Sequence, residues 1–140
     1  MKTQHSVHTR WKEDLAFDIE VDGHLIRTDA SEEFGGKNYG PTPKPLLLSA
    51  LAGCTGIDVA SILKKMRVHF DDMSISVSGE LSEDPPRVYE KIHVIYEFKG
   101  TDLDTDKLEK AVELSHEKYC GVTAMLREVA DITTEIRVVE

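Results

Sequence analysis

Two hydrophobic rhythms run along this chain. Residues 5–11 and 15–21 alternate loosely between apolar and polar positions, and "VDGH" (21–24) separates them from a third run, "HLIRTDA" (24–30). Asp-Gly between alternating runs signals a tight hairpin, because the central positions of such a turn need positive φ. The pattern predicts an N-terminal antiparallel meander of about three strands. "SEEFGGKNYGPTPKP" (31–45) follows, rich in glycine and proline and without an apolar run. It reads as a loop that lies on the surface or covers something. Its glycines lack the spacing and the Lys-Ser/Thr of a phosphate loop.

The rhythm then changes. Pro43 and Pro45 suit a first helical turn, where a missing N–H costs nothing. A helix is predicted from Pro45 to Met66, apolar around nearly its whole circumference, with Ser49, Gly53, Gly56 and Ala60 permitting close approach. "MSISVSGEL" (73–81) and "VYEKIHVIYEFKG" (88–100) return to period two, with Val88, Ile92, Val94, Tyr96 and Phe98 on one face. They form a long hairpin around the turn "SEDPPR". Residues 101–120 hold a second helix, capped by Asp104 or Thr105, with Leu108, Ala111, Val112 and Leu114–Ser115 facing inward. A short helix follows Gly121, and residues 132–140 alternate as a last strand.

This order is that of an α+β fold: antiparallel sheets around a long buried central helix, in one domain spanning residues 1–140. A helix that is apolar all round needs cover on more than one side. A single chain of this length supplies little, so an intertwined homodimer is expected.

Composition narrows the partners. The 140 residues are 40% apolar and 31% charged, with a net charge of -9. Such a surface repels phosphate backbones and anionic lipid, so neither nucleic acid nor membrane is an expected partner. Residues 45–63 raise the question of a membrane span, but Asp58, two glycines and two serines favour a core helix. The first residues, "MKTQHSVHTRWKEDLAF", hold no secretory h-region, which points to the cytoplasm and to reduced thiols.

The candidate chemistry is sulfur. Cys54 sits inside the central helix after Gly53, and Cys120 marks the break between two helices before Gly121. From composition alone, two buried core thiols need no function. Their spacing fits neither a CxxC motif nor a zinc site. Their placement also suits an attacking thiol and a resolving partner that traps its sulfenic acid as a disulfide. Cys54 lies too deep in its helix to feel the N-terminal dipole. A cation would have to favour its thiolate, and Arg10, Lys12, Arg27, Lys37 and Lys44 are candidates, with Arg27 foremost because its strand is otherwise apolar. His116 lies four residues before Cys120 and is expected at the surface. Asp58, one turn beyond Cys54, would work against thiolate formation if close and ionised, but is expected rather to cap or salt-bridge at the helix surface. His5 and His8 could bind metal only adventitiously.

The stretches "PKPLLLSALAGCTGIDVASILKKMR" (43–67) and "LEKAVELSHEKYCGVTAMLREV" (108–129) resemble the OsmC/Ohr family of osmotically inducible and organic hydroperoxide resistance proteins, and within it the YhfA-like branch. The resemblance implies a swapped homodimer with central helices between sheets. It implies a cysteine-based hydroperoxide reductase, a peroxidase of oxidative stress defence, that uses no metal or prosthetic group. By motif Cys54 matches the peroxidatic cysteine and Cys120 the resolving one. The implied partners are a small organic hydroperoxide and a dithiol reductant such as a lipoylated protein. In the family a glutamate about ten residues before the first cysteine, or one residue closer in the YhfA-like branch, holds an arginine over the thiolate. Here those positions are Lys44 and Pro45, so a catalytically altered protein with a binding or structural role in stress is the alternative.

Overall fold

The structure, a computed structural model, describes residues 3–140 and divides into two compact units, one ending at Leu47 and one from Leu48 to Glu140. The first unit is the expected meander: β1 (His8–Glu13), β2 (Ala16–Val21) and β3 (His24–Thr28) pair antiparallel in that order. Asp22 and Gly23 take φ of 49° and 77°, the positive values that the Asp-Gly signal requires.

Asp29 organises the loop that follows. This carboxylate is 3% exposed and accepts the amides of Ala30, Lys37 and Tyr39 at 2.7, 3.0 and 3.3 Å. Its own amide donates to the Pro41 carbonyl at 3.1 Å. The loop folds tightly enough that a Cβ on Gly36 would lie 1.7 Å from the Ala30 oxygen, and one on Gly40 would lie 2.1 Å from the Arg27 oxygen. Only glycine fits at either place.

The second unit carries the core. Helix α1 (Pro45–Lys65) begins where the proline signal placed it. Strands β4 (Asp72–Leu81) and β5 (Tyr89–Lys99) form the expected antiparallel hairpin. Helix α2 (Thr105–Leu114) is capped by Asp104, whose side chain accepts the Lys107 amide. A π-helical turn (Ser115–Tyr119) leads to α3 (Gly121–Leu126) and then to β6 (Asp131–Val139). The sheet order is β4-β5-β6, and β6 runs parallel to β5 from Lys91↔Asp131 to Lys99↔Val139. This pair departs from the antiparallel pattern, because the crossover through α2 and α3 is long enough to return the chain in the same direction.

Leu51, Val59 and Leu63 of α1 belong to one fully buried cluster with Ile92, Val94, Tyr96, Phe98, Leu108 and Ala111. Val88, expected on the inner face, is 48% exposed. A register irregularity opposite Glu80 and Leu81 turns Tyr89 inward in its place. By length and composition α1 could cross a membrane, with mean hydropathy 1.9 over its most apolar window. In the folded chain only the stripe Leu51, Thr55, Val59 and Leu63 is fully buried, and Leu47 and Ile57 on other faces remain exposed. The all-round burial expected of this helix is therefore not achieved within one chain.

Two outcomes follow from this packing. Leu63→Ala removes a side chain with no exposure and should cost about 2–5 kcal/mol, read from urea unfolding with an unchanged m-value. Asp29 has its pKa lowered from 3.8, chiefly by the Lys37 amide bond. Its contribution is thus fully present above the unfolded pKa and is lost as pH falls through the lower folded value. Amide protection at Lys37 and Tyr39 should hold from neutrality to about pH 4 and fall steeply below it, whereas Asp29→Asn should show weak protection throughout.

Candidate functional site: a paired-thiol centre

Residues far apart in sequence meet where the middle of α1 faces the π turn. The Cys54 and Cys120 sulfurs lie 2.9 Å apart as free thiols, with Cys120 donating. Cys120 is buried, and Cys54 is partly so. The turn explains the approach. The Cys120 amide donates to the Ser115 carbonyl at 2.9 Å, five residues back, which widens the coil by a residue. Cys120 then becomes the N-cap of α3, its sulfur accepting the Thr123 amide at 3.4 Å. The turn is pinned from outside by Arg127, which donates to the His116 carbonyl and lies 3.6 Å from the Glu117 carboxylate.

Beneath the sulfurs runs a chain of buried hydroxyls. Ser115 Oγ donates to Asp58 Oδ2 at 3.0 Å, Thr55 Oγ1 lies 2.8 Å from Ser115 Oγ, and Tyr96 Oη lies 2.7 Å from Thr55 Oγ1. Each hydroxyl has one proton to give. With the Ser115 proton committed to the carboxylate, Thr55 donates to Ser115 and Tyr96 donates to Thr55. Burial, the largest cause, pushes the Tyr96 phenol pKa up, which keeps that terminal donor protonated.

The electrostatics of Cys54 are mixed. Burial pushes its pKa up, and pairing with the second thiol, Cys120, pushes the same way. The Val122 amide opposes both, and the Asp58 carboxylate adds a further upward push. Asp58 is thus neither a cap nor a surface ion pair as expected: it accepts the Ser115 hydroxyl's hydrogen bond, and its carboxylate lies within 4.8 Å of both sulfurs. It also borders a cavity of about 530 Å³ walled by Ile62, Met66, Leu114 and Tyr119, with Ser61 and Lys65 at its polar side.

Of the other residues singled out in the sequence, Arg27 belongs to the N-terminal unit. There its Nε and Nη2 grip the two Asp18 oxygens at 2.6 and 3.2 Å, a bidentate pair across β2 and β3. Lys37 pairs with Asp14 at 2.5 Å. His116 is part-buried and 3.7 Å from the Glu117 carboxylate, because the π turn breaks the helical spacing that would have set it beside Cys120. Sequence reasoning missed Thr55, Ser115 and Tyr96 as site residues. Their only local signal is that Thr55 and Ser115 are polar residues on inward-facing helical stripes.

The family described as OsmC-like protein matches residues 35–135. Protein YhfA of Escherichia coli (strain K12) is 37% identical over 131 residues, which is 93% of this chain and 95% of YhfA. The crystal structure of a hypothetical protein from Aquifex aeolicus VF5 superposes with a TM-score of 0.84 at 30% identity, covering 99% of this chain and all of that one. The organic hydroperoxide resistance protein OhrB of Bacillus subtilis shares the fold, with a TM-score of 0.69 at 20% identity over 96% of this chain and 98% of its own. A family match that contains both cysteines, together with a relative this similar along nearly the whole chain, means that the protein belongs to the OsmC family.

Proposed function

We propose that this protein reduces organic hydroperoxides through its two thiols. The observation that carries the reading is the 2.9 Å separation of the Cys54 and Cys120 sulfurs. A disulfide needs about 2.05 Å, so oxidation asks for a small movement and no refolding. Cys54 attacks the terminal peroxide oxygen, the O–O bond breaks, and the alcohol leaves with a proton. The Cys54 sulfenic acid is then displaced by the Cys120 thiol, releasing water and leaving a disulfide. An external dithiol, of which a lipoylated protein is one kind, restores both thiols. The cavity beside Asp58, with its Ile62, Met66 and Leu114 walls, suits an organic peroxide better than hydrogen peroxide. Fold likeness to an organic hydroperoxide resistance protein supports the same substrate class.

The reading assigns Arg27 the role of favouring the Cys54 thiolate, for which the guanidinium must be released or shared by Asp18. The two units act as one OsmC-like domain: the family match crosses the boundary at Leu47, and the Aquifex structure aligns over both. The working form is a cytoplasmic homodimer. Ile57 on α1 is 73% exposed, and Leu25 and Trp11 on the first sheet are 65% and 61% exposed, apolar area that a second copy can cover. A second reading, an altered member that binds a small molecule without turning it over, is favoured by the raised Cys54 pKa and by Lys44 and Pro45 standing where relatives carry glutamate.

Consumption of cumene hydroperoxide with a dithiol reductant separates the two. Wild type should turn over. Cys54→Ser should lose all activity above background, Cys120→Ser should stall after one equivalent, and Arg27→Ala should slow the rate by roughly 10²-fold or more if it removes the group that lowers the thiol pKa. Equal rates for wild type and Cys54→Ser would leave only the binding reading. For the assembly, light scattering should give twice the chain mass for wild type, and Ile57→Arg should shift it toward the monomer.

A further inference from the structure

Three ligand groups of suitable chemistry converge in the C-terminal unit. The Cys54 sulfur, the Cys120 sulfur and an Asp58 carboxylate oxygen all lie within 4.8 Å of one another. Sequence spacing could not show this, because metal motifs are read from cysteines a few residues apart and these two are 66 apart. Asp58 follows Cys54 by one helical turn, so the two share a face of α1. Cys120 comes from the π turn opposite.

The dimensions suit a small thiophilic ion. Ligands on a tetrahedral zinc, with Zn–S about 2.3 Å and Zn–O about 2.0–2.2 Å, lie roughly 3.5–3.8 Å from one another. The sulfurs, at 2.9 Å, would part by somewhat under about 1 Å on filling, within reach of small side-chain rotations. Two thiolates exclude magnesium and calcium, which prefer all-oxygen shells, and the carboxylate completes a borderline set that zinc accepts. Once both thiols give up their protons on binding, two thiolates and a carboxylate face one another in this space, and a divalent cation offsets the repulsion between them.

Each ligand also has an oriented donor behind it. The Val122 amide bonds the Cys54 sulfur, the Thr123 amide bonds the Cys120 sulfur at 3.4 Å, and the Ser115 hydroxyl bonds Asp58 Oδ2 at 3.0 Å. Such outer contacts fix the direction of ligating atoms and are part of a built metal site. Asp58, though neither cysteine, also borders a cavity of about 530 Å³.

We propose that Cys54, Cys120 and Asp58 form a three-ligand site for zinc(II), with the fourth position open to water or a small ligand. Binding releases the two thiol protons to solvent, and the loaded site keeps one net negative charge. This site does not rest on the hydroperoxide reading. Where both hold they exclude each other, since zinc occupies the sulfur lone pairs that would attack oxygen.

The test uses the whole, reduced, metal-free protein titrated with zinc against a chromogenic chelator, and with cobalt(II) as a spectroscopic stand-in. Wild type should bind one zinc per chain, and its cobalt form should show thiolate-to-metal charge transfer with intense tetrahedral d–d bands. Cys54→Ser and Cys120→Ser should each abolish the charge-transfer band or reduce it by half and weaken zinc binding. Asp58→Asn should keep the band and weaken zinc by at least about 10–100-fold, the loss that removing even an outer contact of a ligand causes. His5→Ala/His8→Ala should bind as wild type does. The proposal is overturned if wild type shows no thiolate-to-cobalt band, which needs no variant to fold, if the histidine variant loses the zinc, or if Asp58→Asn binds unchanged.

Discussion

The arrangement turns on the proton carried by Thr55. Its hydroxyl sits with 1% exposure in a stripe of α1 that is otherwise aliphatic, between Tyr96 of β5 and Ser115 at the head of the π turn. A buried hydroxyl without partners is costly, and one with two partners is a geometric constraint. Thr55 has two. It fixes the rotation of α1 against the sheet and the distance of α1 from the turn that carries Cys120. Cys54 precedes Thr55 and Asp58 lies three residues beyond it, so both take their positions from the same anchor. Once this helix is held at Thr55, the approach of the sulfurs follows from covalent geometry and from the widened turn.

The same helix shows a tension between sequence and surroundings. Its sequence is apolar on every face, yet the chain fully buries only the stripe Leu51, Thr55, Val59 and Leu63. The first unit has a similar surplus: among the described residues its buried side chains are Ala16, Thr28 and Asp29, two of them polar, while Trp11, Leu25 and Phe34 are exposed. An ordinary monomer exposes many apolar atoms, but seldom several large side chains on a central helix and on a whole sheet together. Composition and folded geometry thus agree on one point: α1 carries more apolar surface than this chain buries.

The sequence carried the element order well because its signals are local. Asp22-Gly23 marked a turn, Pro45 started a helix, Asp104 capped another, and period-two runs marked β4 and β5 to within a residue or two. Whatever depends on distant partners stayed hidden. The direction of β6 is decided by a crossover, and Tyr89 replaces Val88 because of a register irregularity. Asp29 shows its role only when the amides of Lys37 and Tyr39 fold back on it. The hydroxyl chain links residues 41, 57 and 60 positions apart, which no window can see. The cysteine pair was suggested by the glycine beside each thiol and by the helix break at Cys120, and family resemblance strengthened it, whereas the bond from Ser115 to Asp58 was hidden because a position on one helix says nothing about the turn that packs against it.

Asp58 is also where the chemistry of the centre is decided. For a thiol that must ionise, a neighbouring carboxylate is adverse, and at Cys54 the Val122 amide offsets burial and that carboxylate only in part. Yet the fold gives this carboxylate an oriented donor in Ser115 and a whole relay behind it, ending at Tyr96. A side chain tolerated at random would not need its hydrogen bond propagated through three hydroxyls into the core. Positive charge brought to the sulfurs, from a guanidinium or from a bound ion, turns the same carboxylate from a repulsive neighbour into a counter-charge or a ligand. Both proposals complete the centre with a cation, and they differ in whether that cation leaves the two thiols available to react or holds them.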